Sequence, residues 1–237
     1  MKLSIIIPAY NEENTITEIL QKVHEVDLGE VKKEVLVVDD GSKDKTLQLA
    51  QEFAKENREV RVIEHKRNKG KGAAVATGIK EAIGDILIIQ DADLEYNPQD
   101  IPRLINPIVQ KKNRVVYGTR LRAKPVFFGK SRTPLLLHFF GNKFLSLITS
   151  VLYGANVTDM ETCYKAFDKQ VLNGVKLKSR SFNFEPEVTA KILKKGIKIL
   201  ELDIKTKPRG WDEGKKLHTF RDGSIALWTL LKYRFVD

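Results

Sequence analysis

The stretch ILIIQDADLEYNP, Ile86–Pro98, decides how this chain is read. Four apolar residues in a row, three of them β-branched, favour a strand buried on both faces. The run stops at Gln90, and three carboxylates follow at Asp91, Asp93 and Glu95. Alternate side chains of an extended segment point the same way, so the spacing predicts that these three share one face. Carboxylates held together repel unless a cation sits among them. Hard oxygen donors suit Mg²⁺ or Mn²⁺, which can in turn hold a diphosphate. The other reading is an acidic loop after a strand, and spacing alone leaves both open. Asn97-Pro98 then reads as a helix N-cap followed by proline at the first helical position.

Outward from this stretch the same rhythm repeats. Leu3–Ile7 reads as a strand ending at Pro8, and Glu34–Val38, Val60–Ile63 and Val115–Tyr117 as further strands. Between them Ile16, Ile19, Leu20 and Val23 take helical spacing. Leu47, Ala50, Phe53 and Ala54 mark the next helix, and Lys71–Ile83 is an Ala-rich one. Pro102 and Pro107 argue against an uninterrupted helix after Pro98. The alternation predicts an α/β fold, with a mainly parallel sheet covered by helices on both faces. In such sheets ligands bind beyond the carboxyl ends of the strands. That rule gathers Pro8–Glu12, Asp39–Ser42, Asn68–Gly72 and Asp91–Glu95 on one edge.

From about Val126 the pattern changes. Phe127–Tyr153 is rich in Phe and Leu but broken by Lys130, Arg132, His138 and Lys143. Phe184–Lys195 reads as a helix, Ile197–Thr206 as a strand, Pro208–Lys216 as a basic loop and Ile225–Phe235 as an amphipathic helix. No run of ~20 apolar residues predicts a spanning helix, and Leu3–Ile7 is too short for a signal peptide.

The 237 residues, 42% of them hydrophobic, suffice for one large α/β domain and argue against disorder. The net charge of +10 favours anionic partners. One cysteine, Cys163, excludes an intrachain disulfide and fits a reducing compartment; it reads as a packed small residue rather than a nucleophile. The pair Asp39-Asp40 before Gly41-Ser42 leaves two readings open. Either Ser42 caps the next helix, or the carboxylates accept hydrogen bonds from a base or ribose. Asn68–Gly72 (NKGKG) matches neither a Walker loop nor a dinucleotide fingerprint, and is expected to be a tight turn that lets the backbone approach a ligand.

Four motifs occur in order: IIIPAYNEE at Ile5–Glu13, VVDDGSKD at Val37–Asp44, NKGKGAA at Asn68–Ala74 and DADLEYNP at Asp91–Pro98. With them the chain resembles glycosyltransferase family 2, and within it the polyprenyl-phosphate sugar synthases such as dolichyl-phosphate mannose and glucose synthases. The resemblance runs from about residue 3 to 235 and implies a GT-A-type α/β fold with added interfacial helices. It implies one catalytic domain over 1–237, with a nucleotide-sugar half at 1–125 and an acceptor-side half at 126–237. It further implies inverting, metal-dependent transfer of a hexose from UDP-glucose or GDP-mannose to a polyprenyl or dolichyl phosphate. By position, Pro8, Tyr10 and Glu12 match the loop that holds the nucleoside, and Val38 and Asp40 its second wall. Asp91, Ala92 and Asp93 match the metal–diphosphate motif, with Asp93 a direct ligand of Mg²⁺ or Mn²⁺ and Glu95 able to complete the site. Arg120, in YGTR, matches a basic residue near the donor. Arg209 and Lys215, in RGWDEGK, match a basic loop that closes over the phosphates. Arg132 resembles an acceptor-phosphate ligand, and Glu187, in FNFEPE, matches an acidic position near the acceptor whose role stays open. DMETCYKAF, Asp159–Phe167, departs from the mannose-synthase pattern and lies nearer the glucose type.

Physical logic accompanies these roles. A phosphomonoester carries about −1.5 to −2 charges near neutrality, and one unit pair at 4 Å is worth about 4 kcal/mol at an effective dielectric near 20. A cation and arginines must therefore offset the repulsion between donor and acceptor. A phosphate acceptor is already an anion, so no strong general base is required. The mixed Phe/Leu and Lys/Arg composition of Phe127–Tyr153 suits helices lying in a membrane interface. The chain is thus expected at the cytoplasmic face of a membrane as a peripheral enzyme, with an anchoring partner or a homodimer as possible company. The rival readings are a family 2 enzyme with a soluble or glycan acceptor, a non-catalytic nucleotide-sugar binder and a nucleic-acid-binding protein. No nucleic-acid module is legible, so no nucleic-acid partner is expected.

Overall fold

The computed structural model describes residues 1–122, 136–207 and 219–236. Seven strands form one sheet: β1 (Lys2–Ala9), β2 (Lys32–Asp39), β3 (Val60–Glu64), β4 (Ile86–Ile89), β5 (Val115–Thr119), β6 (Lys165–Asp168) and β7 (Ile199–Asp203). The helices are α1 (Ile16–His24), α2 (Thr46–Glu56), α3 (Lys71–Glu81), α4 (Ile101–Val109), α5 (Leu136–Tyr153), α6 (Phe184–Lys194) and α7 (Thr219–Phe235). The strand order is β3-β2-β1-β4-β6-β5-β7. All pairings are parallel except those of β6, which runs against both neighbours.

Strand periodicity divides the core in two. Ile5 and Ile7 of β1 pack with α1 residues Ile16, Ile19 and Leu20 on one face. Ile6, between them, packs with Val75 of α3 and with Phe184 and Val188 of α6 on the other. A two-residue period in a strand sends neighbours to opposite faces, so an all-apolar strand needs helices on both. The predicted mainly parallel sheet with two helical layers is therefore what forms. From β1 the chain winds outward to β2 and β3, then returns through α3 to β4 on β1's other side. The order reverses between β1 and β4, and a crevice opens at such a switch point.

β6 was not predicted. It has four residues, one of them Lys165, which interrupts the apolar pattern. Lys165 is fully buried, and its ammonium donates to the carbonyls of Met160 (2.9 Å) and Thr162. Those carbonyls replace its water, and the Tyr117 ring lies 4.6 Å away as a second partner. β6 also sits between β4 and β5, so the two halves read from the sequence share one sheet.

Helix α4 forms despite Pro107 within it. Pro102 stands in its first turn, where a missing N–H costs nothing. Its four buried residues, Ile101, Leu104, Ile105 and Ile108, at about 1.5–3 kcal/mol each, outweigh the ~3 kcal/mol of an internal proline. As predicted, Asn97 Oδ1 accepts from the Gln99 N–H (3.2 Å) with Pro98 following.

Helices α5 and α7 pack on each other through a third cluster with Leu145, Met160, Ala226 and Leu230. The Tyr153 hydroxyl donates to the Leu230 carbonyl at 2.7 Å. Their outward faces carry exposed Phe140, Phe144, Leu147 and Val151 on α5, and Ile225, Trp228, Leu231 and Phe235 on α7. Among the described residues no helix is long and apolar enough to cross a membrane. Arg132, Arg209 and Lys215, with the rest of 123–135 and 208–218, lie outside the described residues.

Candidate active site

A cavity of about 300 Å³ opens at the carboxyl edge of the sheet, and Pro8, Tyr10, Glu12, Asp40, Asp91, Ala92, Asp93 and Glu95 all line it. The loop after β1 is stitched to the loop after β2. The Asn11 N–H donates to Ser42 Oγ (3.0 Å) and the Glu12 N–H to Thr46 Oγ1 (2.7 Å). Ser42 therefore does not cap α2. The α2 N-terminus is held by Asp44 instead, whose Oδ1 accepts from the Thr46 N–H and hydroxyl.

The acid pair at the end of β2, Asp39 and Asp40, braces loops. Asp39 Oδ2 accepts from the N–H groups of Gly41 (3.1 Å) and Ser42 (3.0 Å). Asp40 accepts from the N–H groups of Lys69 and Gly70 and lies 2.7 Å from His65 Nδ1. Asp40 thus faces the cavity while pinning the glycine loop beside it. That loop approaches the chain itself: a Cβ on Gly70 (φ +94°) would lie 2.2 Å from the Arg180 carbonyl oxygen. Only glycine tolerates both that dihedral and that contact. The close passage expected for a ligand is made by Ser179–Ser181.

The three carboxylates reach the cavity by a route other than a shared strand face. β4 ends at Ile89, and residues 91–95 form a turn in which Leu94 takes φ +62°. A left-handed branched residue is uncommon and is held by its surroundings. The Glu95 N–H closes the turn on Asp93 Oδ1 at 3.1 Å. Behind it, Gln90 Nε2 donates to the Asp91 carbonyl (3.1 Å), and the Tyr164 hydroxyl lies within hydrogen-bond reach of Gln90 Oε1 and the Asn97 carbonyl, donating to one of them.

Asp91 turns towards Lys71, whose ammonium lies 2.9 Å from Oδ1 and 3.1 Å from Oδ2. The same ammonium lies 3.3 Å from Glu185 Oε1 and donates to Cys163 Sγ at 2.9 Å. Burial opposes the lysine's charge, but Asp91, Cys163 and Glu185 hold its pKa well above the ordinary lysine value. Burial likewise opposes the Asp91 charge, and Lys71 holds its carboxyl below the usual value. Cys163 is partly buried. Burial, then the Asp91 charge, pushes its thiol well up, so it is no activated nucleophile.

Lys71, Glu161, Cys163 and Glu185 line the cavity and were not singled out as site residues. Lys71 was legible in part, as the first helical residue after a glycine on the ligand edge. Glu161 and Glu185 come from segments distant in sequence, and nothing local marks them. Of the residues expected in the site, Val38 is fully buried in β2 and Arg120 and Glu187 stand elsewhere; none lines the cavity. Arg120 is committed to Asp159, with Nε–Oδ2 2.7 Å and Nη2–Oδ1 2.8 Å, and to the Tyr96 hydroxyl. Glu187 is fully buried and accepts from the N–H groups of Lys178 and Ser179 and from Lys191 Nζ (2.7 Å). It anchors the loop before α6, while Glu185 of the same FNFEPE run reaches the cavity.

Seven carboxyl groups and one ammonium line this cavity among the described residues. Such a wall repels a diphosphate unless a cation enters with it. Among the described residues no group of three His, Cys, Asp or Glu side chains forms a ready-made metal cage. Mg²⁺-type sites use one or two carboxylates plus substrate phosphates. Asp91 is paired to Lys71, and Asp93 and Glu95 bring further carboxyl groups to the same cavity.

Comparison with known proteins agrees with this geometry. The family model described as glycosyl transferase family 2 matches residues 4–175. The UDP-N-acetylglucosamine–dolichyl-phosphate N-acetylglucosaminyltransferase of Methanococcus voltae is 34% identical over 221 residues, 85% of this chain and 84% of that one. The dolichol-phosphate mannosyltransferase of Pyrococcus furiosus is 33% identical over 198 residues, 81% of this chain and 53% of that one. Among solved structures, glucosyl-3-phosphoglycerate synthase from Mycobacterium tuberculosis with Mn²⁺, UDP and phosphoglyceric acid superposes with a TM-score of 0.74 at 19% identity. That superposition covers 100% of this chain and 79% of that one, and speaks for the fold alone. The chain therefore belongs to glycosyl transferase family 2 and is a glycosyltransferase of the GT-A fold.

Proposed function

We propose that this enzyme transfers a hexose, with inversion, from a nucleotide diphosphate sugar to a polyprenyl or dolichyl phosphate at a membrane surface. The observation that carries the reading is the convergence of Tyr10, Glu12, Asp40, Asp91, Asp93 and Glu95 on one cavity at the β1–β4 switch point. The names of the two dolichyl-phosphate relatives support the acceptor class. The exposed apolar faces of α5 and α7 support the membrane surface.

In this reading Pro8, Tyr10, Glu12 and Asp40 hold the nucleoside, and Asp93 and Glu95 hold Mg²⁺ or Mn²⁺ against the diphosphate. When bound, that ion supplies Lewis-acid neutralisation of the leaving group. Lys71 keeps Asp91 ionised and fixed, so the edge of the site stays rigid as charge moves. Arg209, Lys215 and Arg132 are proposed to bind the diphosphate and the acceptor phosphate. Lys207, just before the segment that carries Arg209 and Lys215, donates its N–H to the Glu95 carbonyl at 2.9 Å. Arg120, fixed by Asp159, would act on the donor only through Tyr96 and the turn it supports, and Glu187 only through the loop before α6.

The test is thermal shift with UDP, GDP and their sugars, with and without Mn²⁺, followed by transfer to a short polyprenyl phosphate in detergent. A metal-dependent rise in Tm with one nucleotide, and sugar transfer to the lipid phosphate, is expected. Transfer to a soluble glycan and none to the lipid phosphate would overturn the acceptor assignment.

A further inference from the structure

The cavity carries further polar residues besides those of the Asp91–Glu95 turn. They include Glu185 at the start of α6, Glu161 and Cys163 from the segment before β6, and Lys71. Glu185 is 4% exposed. One of its oxygens faces Lys71, while Oε2 is buried with no hydrogen-bond partner among the described residues. Glu161 Oε1 is buried and partnerless in the same way. A buried carboxyl oxygen without a partner is costly and is rarely kept unless something else satisfies it. The two residues that carry these oxygens come from distant segments and line one cavity. Each offers an oxygen that can accept a hydrogen bond. The complementary ligand is neutral and rich in O–H or N–H donors.

Resting on the nucleotide-sugar reading above, we propose that Glu161 and Glu185 form the subsite that reads the donor's sugar ring. Their partnerless oxygens accept hydrogen bonds from its hydroxyl or amide N–H groups, so the site accepts a neutral hexose and refuses a uronate. Lys71 is the positioning residue: it fixes Glu185 through Oε1 and leaves Oε2 for the sugar. The refusal follows from charge. A sugar carboxylate would meet a wall in which carboxyl groups far outnumber the one ammonium.

Calorimetric titration with Mn²⁺ tests this on the full chain and on Glu185→Ala and Glu161→Ala. The probes are UDP, GDP, UDP-glucose, UDP-N-acetylglucosamine, GDP-mannose and UDP-glucuronate. One neutral nucleotide sugar should bind the wild type at least about tenfold more tightly than its bare nucleotide or UDP-glucuronate. Each variant should lose about ten- to hundredfold for that sugar nucleotide and leave the bare nucleotide unchanged. Glu161→Ala leaves the Lys71 pairs with Asp91 and Glu185 in place, so it serves if Glu185→Ala does not fold. Equal losses for nucleotide and nucleotide sugar, no loss at all, or tight UDP-glucuronate binding would overturn the subsite. Wild type that binds neither UDP nor GDP would overturn the nucleotide-sugar reading itself, and the subsite with it.

Discussion

The Lys71 ammonium lies 2.9 Å and 3.1 Å from the two Asp91 oxygens, tying the first turn of α3 to the end of β4. Both side chains are mostly buried, and Glu185 shares the ammonium. Lys71→Met would leave two buried carboxylates without a counter-charge. The expected loss is about 3 kcal/mol of folding stability, read from urea denaturation, and Asp91→Asn in the same chain should recover part of it. An unchanged midpoint would remove the pair from the account.

Asp93 Oδ1 accepts from the Glu95 N–H and so closes its turn. Asp93→Ala should lower stability by about 1 kcal/mol and abolish the effect of Mn²⁺ on nucleotide binding. Calorimetry with and without EDTA separates the two; a variant that still responds to Mn²⁺ would exclude Asp93 as a ligand.

Arg120 and the fully buried Asp159 form a bidentate pair, with the Arg120 N–H as a third donor. Arg120→Lys keeps the charge and loses the fork. It should cost about 2–4 kcal/mol, and nucleotide affinity per folded molecule should stay within about threefold. A much larger loss of affinity with little loss of stability would instead put Arg120 on the donor.

Burial first, then the Glu185 charge, pushes the Glu161 carboxyl up from 4.5 to about 8. Its folded value lies above its unfolded one, so the folded chain keeps a proton that the unfolded chain has released between them. The stabilising contribution is full below about 4.5 and is lost as pH rises through about 8. Glu161→Gln stays neutral throughout. Its Tm should fall less than that of the wild type between about pH 6 and pH 9, and parallel profiles would contradict the shift.

Phe144 and Trp228 are 53% and 67% exposed, on the outward faces of α5 and α7. Replacing both with Ser should leave stability within about 0.5 kcal/mol and nucleotide binding unchanged, while liposome co-sedimentation drops severalfold. Retained binding would move membrane attachment to another part of the chain.

Much of the sheet was legible because its strands are simple. Leu3–Ile7, Val35–Val38 and Ile86–Ile89 are apolar on both faces, and only a two-layered parallel sheet satisfies such runs. β6 escaped because Lys165 breaks its pattern, and its ammonium is satisfied by two carbonyls that no local rule supplies. Ser42 read as a helix cap because a serine before a helix is a good one, yet its hydroxyl accepts from Asn11, a residue from another loop.

By itself the sequence determined the α/β layering and the edge on which the carboxylates gather, since apolar runs and turn residues are local properties of the chain. The tertiary structure decided which charges meet. It gave Asp91 to Lys71 and Arg120 to Asp159 and turned Glu187 into a loop anchor. It also left Glu161 and Glu185 facing the cavity with oxygens unpaired within the described residues. The reason is range: a carboxylate's role depends on the partner within about 3–4 Å of it, and here those partners come from segments far apart along the chain.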